Sequence, residues 1–281
     1  MKKIAVIGAG TMGNGIAHVF AQKGFQVHLI DTQAAALDKA LATIEKNLDR
    51  QINKGILSPE DKSATLHNIT QFTSIELGVV DVNLVIEAAT ENREIKKSIF
   101  KQMDQFAKAD CILATNTSSI SIGQLAAVTN RPSKVIGMHF MNPVPVMKLV
   151  EIINGAATDQ ATTDAIVALT TTLDKIPCVV KDAPGFIANR ILMPMINEAI
   201  HAFSEGISDA QTIDQIMKLG MAHPMGPLQL ADYIGLDVCK NILDIMHAGF
   251  ENDKYAPCPL LVNMVNEGKL GIKSGEGFYK Y

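Results

Sequence analysis

A glycine-rich turn near the start of the chain constrains the fold more than any other feature. An apolar stretch, residues 4–7, runs directly into a GxGxxG motif made of Gly8, Ala9, Gly10, Thr11, Met12 and Gly13. Apolar residues then recur at helical spacing from Ile16 to Phe20. A strand, a tight glycine turn and a helix in this order predict the first βαβ unit of a dinucleotide-binding domain, with the pyrophosphate at the helix N-terminus.

An acidic residue follows the second predicted strand. Residues 27–30 form a short apolar run that ends at Asp31, about 20 residues beyond the glycine turn, where such folds place an acid. A carboxylate there accepts hydrogen bonds from a ribose 2′-hydroxyl and repels a 2′-phosphate, so the sequence predicts NAD rather than NADP. The alternative interpretation is a glycine turn beside an ordinary surface aspartate.

Strand and helix patterns alternate until about residue 180. The later predicted strands are 82–88, 111–114, 135–138, 149–153 and 177–180, and predicted helices include 34–54, 93–106 and 159–173. After Pro184 and Gly185 only helical patterns follow. The sequence therefore predicts an α/β fold with a Rossmann-type, mostly parallel sheet domain over residues 1–184, followed by a smaller all-helical C-terminal domain over residues 185–281.

The composition argues against several classes of function. A net charge of −4 gives no electrostatic footprint for nucleic acid or for an anionic membrane surface. The four cysteines form no CxxC pair and the seven histidines show no metal-ligand spacing, so we expect neither a disulfide framework nor a metal. No signal peptide or long apolar span precedes the first strand, which favours a cytoplasmic location.

Four polar residues fall where chemistry is expected, and each also has an ordinary structural interpretation. Ser118 follows a strand and suits a helix cap or turn, and Asn189 begins a helix and suits a cap. His139 lies just past a predicted strand, where a histidine is usually structural. Glu151 lies within an apolar strand, where it faces either solvent or a partner. Together they fill the roles that alcohol oxidation needs: a base, a carboxylate that orients it, and neutral donors near the reacting oxygen.

Four longer stretches carry a family resemblance over essentially the whole chain. They are NTSS at 116–119, GMHFMNPVPVMKLVE at 137–151, DAPGFIANR at 182–190 and GEGFY at 275–279. With these stretches the sequence resembles the 3-hydroxyacyl-CoA dehydrogenase family, most closely its short bacterial members that act on 3-hydroxybutyryl-CoA. The resemblance implies NAD-dependent interconversion of a 3-hydroxyacyl-CoA and a 3-oxoacyl-CoA.

The resemblance also implies roles for particular residues. His139 would be the catalytic base paired with Glu151, and Ser118 and Asn189 would contact the substrate. In addition to the glycine turn and Asp31, the implied cofactor contacts are Glu91, Lys96, Asn116, Ser118, Asn142 and Lys273. The long predicted helix to residue 54 resembles the arm whose basic residues meet the phosphates of coenzyme A, with Arg50 and Lys54 as candidates, although a solvated helix face is an equal interpretation. The helical C-terminal domain would form a homodimer interface.

Two other functions remain open at the level of sequence. A related dehydrogenase of free 3-hydroxyacids, or of the gulonate type, needs a carboxylate clamp, for which Arg190 is available. A structural protein that binds NAD without turnover would keep the fold without the chemistry. The joint presence of Ser118, His139, Glu151 and Asn189 argues against the second alternative.

Overall fold

One eight-stranded sheet organises the first part of the chain. The computed structural model describes all 281 residues. Its strands are Lys3–Ile7 (β1), Gln26–Ile30 (β2), Ile69–Phe72 (β3), Leu84–Glu87 (β4), Ile112–Thr115 (β5), Val135–Phe140 (β6), Leu149–Asn154 (β7) and Ile176–Lys181 (β8). Their order in the sheet is β3-β2-β1-β4-β5-β6-β7-β8. Every neighbouring pair is parallel except β6 and β7, which run antiparallel.

Seven helices belong to this first compact unit, Met1–Asp182. They are Thr11–Gln22 (α1), Ala34–Asn53 (α2), Pro59–His67 (α3), Ile75–Val79 (α4), Arg93–Phe106 (α5), Ile122–Ala126 (α6) and Gln160–Thr172 (α7), with a 3₁₀ turn at Pro132–Lys134. The central strands β4 and β5 are buried along their whole length, as expected for parallel strands covered on both faces. Their apolar side chains join those of α1 and α2 in one core.

The second compact unit, Ala183–Tyr281, is helical. Its helices are Ala188–Ser204 (α8), Ala210–Gly220 (α9), Pro227–Ile234 (α10), Leu236–Phe250 (α11) and Pro259–Asn266 (α12), with 3₁₀ turns at Asp253–Tyr255 and Ile272–Ser274. Side chains from these helices, including Ile196, Leu228 and Leu243, form a separate apolar core. None of the helices in the protein has both the length and the apolar character that a membrane span requires.

The predicted fold class is confirmed, and the differences lie in individual elements: the short helices α4 and α6 were not predicted, and two strands differ from the prediction. Strand β3 was not predicted, because a four-residue edge strand with an exposed Thr70 lacks the apolar run that marks the central strands. Strand β6 extends two residues further than predicted, so the expectation that His139 lies just past the strand is wrong. The reason is tertiary: pairing with β7 continues through His139 and Phe140.

Candidate active site

The glycine turn between β1 and α1 has a backbone that only glycine fits. Gly8 has φ +101°, and a Cβ on it would lie 2.6 Å from the carbonyl oxygen of Ala88. A Cβ on Gly13 would lie 1.7 Å from the carbonyl oxygen of Gly8. No side chain caps the N-terminus of α1, so its first N–H groups suit a phosphate. The turn therefore fits the pyrophosphate of a dinucleotide.

Asp31 ties the glycine turn to the end of β2. One carboxylate oxygen accepts a hydrogen bond from the backbone N–H of Ala9 at 2.9 Å, and the other accepts from the N–H of Gln33 at 3.0 Å. Asp31 lines two cavities, of about 520 and 530 Å³. The second cavity, which includes Thr32 and Ile75, has no lysine, arginine or histidine in its lining. This second cavity therefore suits a ribose hydroxyl and offers no cation to a 2′-phosphate, whereas the 520 Å³ cavity includes Lys39 in its lining.

Glu91 and Lys96 belong to a hydrogen-bonded network at the carboxyl ends of β4 and β5. The Lys96 amine is buried and contacts Glu87 Oε1 at 2.6 Å and Glu91 Oε2 at 3.3 Å. The other oxygen of Glu87 accepts from the hydroxyl of Thr115 at 2.7 Å. Sequence reasoning missed Glu87 and Thr115. The available signal was a carboxylate that closes the apolar strand β4, since a buried acid needs a partner.

The Glu91 carboxylate also holds the segment that contains Ser118. Glu91 Oε1 accepts from the Ser118 N–H at 3.0 Å, from the Ser119 hydroxyl at 2.9 Å and from the Thr117 hydroxyl. Burial alone would raise the pKa of Glu91, but Lys96 and these donors outweigh it and leave the pKa below its ordinary value. Glu91 is therefore held ionised beside Ser118.

The structure places Ser118 and Asn116 between β5 and α6. Ser118 is half-buried and does not cap α6, because Ser121 is the cap, with its side-chain oxygen accepting from the N–H of Gln124. Asn116 Oδ1 accepts from the backbone N–H of Phe140 at 2.8 Å. Asn116 thus fixes the end of β6 against the Ser118 segment.

His139 and Glu151 face each other directly across β6 and β7. The antiparallel register pairs the two residues, and His139 Nδ1 lies 2.8 Å from Glu151 Oε2. Both side chains are buried, with 8% of His139 and 2% of Glu151 exposed. Because an ionised carboxylate can only accept, the Nδ1–H donates, which fixes the imidazole tautomer. Glu151 therefore faces a partner rather than solvent.

Asn142 and the arm residues line cavities of the first unit. Asn142 precedes a cis peptide bond to Pro143, and both line the 520 Å³ cavity together with Gly10 and Asp31. Arg50 and Lys54 lie at the end of α2 and line a cavity of about 580 Å³. Two cationic side chains, Arg50 and Lys54, therefore border a cavity that is large enough to hold part of a ligand.

The remaining predicted site residues belong to the second unit. Asn189 is buried as the second residue of α8, whose N-cap is Ile187, so Asn189 does not cap the helix. The Lys273 amine forms an ion pair with Asp237. The Arg190 guanidinium stacks on the ring of Phe250, 4.4 Å from the ring centroid. This cation–π contact gives Arg190 a structural partner. In the whole protein, no group of three or more His, Cys, Asp or Glu side chains is placed to hold a metal ion.

The glycine turn, the acid after β2 and the buried histidine–carboxylate pair define a dinucleotide-dependent dehydrogenase. Residues 3–183 match the family described as 3-hydroxyacyl-CoA dehydrogenase, NAD binding domain, and residues 185–281 match the C-terminal domain of the same family. The chain therefore belongs to the 3-hydroxyacyl-CoA dehydrogenase family, and the resemblance carried by its motifs is confirmed.

Relatives and solved structures match over the full length. The chain is 50% identical over 281 residues to a 3-hydroxybutyryl-CoA dehydrogenase of Bradyrhizobium diazoefficiens, covering all of this chain and 96% of that protein. It is 42% identical to the mitochondrial hydroxyacyl-coenzyme A dehydrogenase of Sus scrofa, covering 100% of this chain and 91% of that protein. The crystal structure of (S)-3-hydroxybutyryl-CoA dehydrogenase from Ralstonia eutropha superposes with a TM-score of 0.97 at 47% identity, covering 100% of this chain and 99% of that one.

We predict that NADH is used in preference to NADPH. A 2′-phosphate beside Asp31 would meet like charge, and the 530 Å³ cavity offers it no cation, which should lower kcat/KM for NADPH about tenfold or more. Asp31→Ser should lower the ratio of kcat/KM for NADH to kcat/KM for NADPH. Asp38 is an exposed aspartate on α2, and Asp38→Ser should leave this ratio unchanged. Equal or better kcat/KM with NADPH in the unmodified protein would contradict the role of Asp31.

Proposed function

We propose that the protein interconverts (S)-3-hydroxybutyryl-CoA and acetoacetyl-CoA with NAD(H). Relatives of the same family that resemble it in sequence are named for this reaction. The observation that carries the proposal is the buried His139–Glu151 pair in an NAD-binding family domain. The NAD-binding domain corresponds to residues 1–184 and the helical C-terminal domain to residues 185–281. Both family domains are matched, so the chain contains the parts that the redox step needs.

His139 is the general base for oxidation of the 3-hydroxyl group. Its Nε2 takes the hydroxyl proton as the C3–H bond breaks, and the nicotinamide of bound NAD supplies the acceptor for that hydride. The Glu151 carboxylate stabilises the imidazolium that forms and keeps Nδ1 as the donor. In the reverse direction the imidazolium returns the proton to the carbonyl oxygen, and the histidine ends neutral.

Ser118 and Asn189 provide neutral donors for the substrate oxygens. A hydroxyl and an amide placed near the reacting oxygen stabilise the negative charge that develops on it during proton transfer. The hydrogen bonds from the Ser118 segment to Glu91 support this role for Ser118, because they fix its backbone. Glu91, Lys96, Asn116 and Asn142 border the cofactor together with the glycine turn, and Lys273 is a further proposed contact.

The phosphates of the acyl-CoA bind beside the end of α2. Arg50 and Lys54 line one cavity there, and Lys23 and Lys148 also line it, which gives it an excess of positive charge. Acyl-CoA is the partner of this site, and neither nucleic acid nor a membrane is needed. Basic side chains at the rim of a cleft attract anionic ligands and also speed their association.

The protein acts as a cytoplasmic homodimer that forms through its C-terminal domain. Exposed apolar side chains of the second unit, including Ile191, Leu219 and Met221, support an interface there. The four cysteines are free thiols, which suits a reducing compartment. Light scattering at micromolar concentration should give twice the chain mass of 30.3 kDa, and cell fractionation should recover the protein with cytosolic enzymes. A monomer at that concentration would contradict the dimer.

We predict that His139→Gln lowers kcat for reduction of acetoacetyl-CoA by about 10²–10⁴-fold, because the amide cannot exchange the proton. The NADH dissociation constant, measured by fluorescence titration, should change little, since the glycine turn and Asp31 form the proposed cofactor site. His67→Gln, at an exposed histidine that ends α3, is the matched control and should keep full activity. A near wild-type kcat in His139→Gln would show that His139 is not the catalytic base and has only a structural role.

A further inference from the structure

Lys175 is a buried lysine that the chemistry proposed above does not use. It lies just before β8, and only 7% of its surface is exposed, at the border of the 580 Å³ cavity that Arg50 and Lys54 also line. Its amine donates to the carbonyl oxygens of Val144 and Met147, each at 2.6 Å. Burial lowers the pKa of Lys175, and the neighbouring Lys148 lowers it further, so these two carbonyls are what stabilise the buried ammonium.

Both carbonyls belong to the segment that joins the proposed catalytic pair. Residues 141–148 connect β6, which carries His139, to β7, which carries Glu151. The same segment is packed from the opposite side, because a Cβ on Gly15 of α1 would lie only 2.9 Å from Val144 Cβ. Val144 itself is 2% exposed. The segment is therefore held between α1 and the Lys175 amine.

This segment forms a wall of both cavities that the proposed function requires. Pro143 and Pro145 line the 520 Å³ cavity, which includes Gly10 and Asp31, and also the 580 Å³ cavity, which includes Arg50 and Lys54. The first cavity adjoins the dinucleotide turn and the second adjoins the basic end of α2. A shift of the two prolines would therefore change the shape of both cavities together.

We propose that Lys175 is a positioning residue that sets this shared wall and thereby the affinity for the acyl-CoA and for the dinucleotide. The inference rests on the proposed function for the identity of the ligands. Without the amine, the carbonyl oxygens of Val144 and Met147 lose their hydrogen-bond donor. Residues 141–148 then move away from Lys175, while β6 and β7 stay paired. His139 and Glu151 keep their register, and the chemical step is retained.

The test is steady-state kinetics of Lys175→Met, which keeps the length of the side chain and removes its amine. We expect the KM for acetoacetyl-CoA to rise about tenfold with a smaller change in kcat, the pattern of lost ground-state binding. The NADH dissociation constant, measured by fluorescence, should rise as well. Lys175→Arg, which keeps a charged donor, should recover part of both losses. Lys181→Met, an exposed lysine at the far end of β8, is the matched control and should change neither constant.

One result would overturn the proposal: a folded Lys175→Met protein whose KM for acetoacetyl-CoA and NADH dissociation constant both stay within about twofold of wild type, whatever its kcat. If Lys175→Met does not fold, Gly15→Ala displaces Val144 from the other side and should raise the same KM. An unmodified protein that binds NADH but does not reduce acetoacetyl-CoA would refute the proposed function, and NADH titration would still test Lys175.

Discussion

The reversal of strand direction between β6 and β7 brings the proposed base and its carboxylate together. Strands β1 to β6 are parallel, so their carboxyl ends meet at one edge of the sheet, and β7 returns antiparallel beside β6. Residues directly opposite in an antiparallel pair have Cβ atoms about 4.5–5.5 Å apart, a distance that suits a histidine–carboxylate hydrogen bond. The hydrogen-bonded backbones of β6 and β7 therefore fix the 2.8 Å contact between His139 and Glu151. The contact does not depend on long side chains that must be ordered separately.

Buried charge recurs around this edge, and each buried charge has a partner. Lys96 lies between Glu87 and Glu91, and Lys175 donates to two backbone carbonyls. An uncompensated charge in such a place would cost several kcal/mol, so the partners hold these side chains in defined positions. These contacts keep two segments near the proposed site in fixed positions. The Glu91 network fixes the Ser118 segment, and Lys175 fixes the segment between β6 and β7.

The sequence predicted the fold class and most elements, because strong periodic signals mark them. The glycine turn identified β1 and α1, which the structure confirms. It could not show that His139 lies within β6, since strand ends depend on the partner strand. Glu87 had a signal, since it closes an apolar strand, but Thr115 and Lys175 had none, because a lone polar residue carries no sign of burial until tertiary contacts are known. The family motifs named His139 and Glu151 without their geometry.

His139 and Glu151 are proposed to act as one unit, and a double-mutant cycle on kcat measures the coupling between them. The four proteins are the unmodified enzyme, His139→Gln, Glu151→Gln and the double variant, each assayed with acetoacetyl-CoA and NADH. We expect strongly non-additive effects, with the double variant about as active as His139→Gln, because Glu151 has no imidazolium to stabilise once His139 is gone. Independent effects that multiply in the double variant would show that the two residues do not act as a unit.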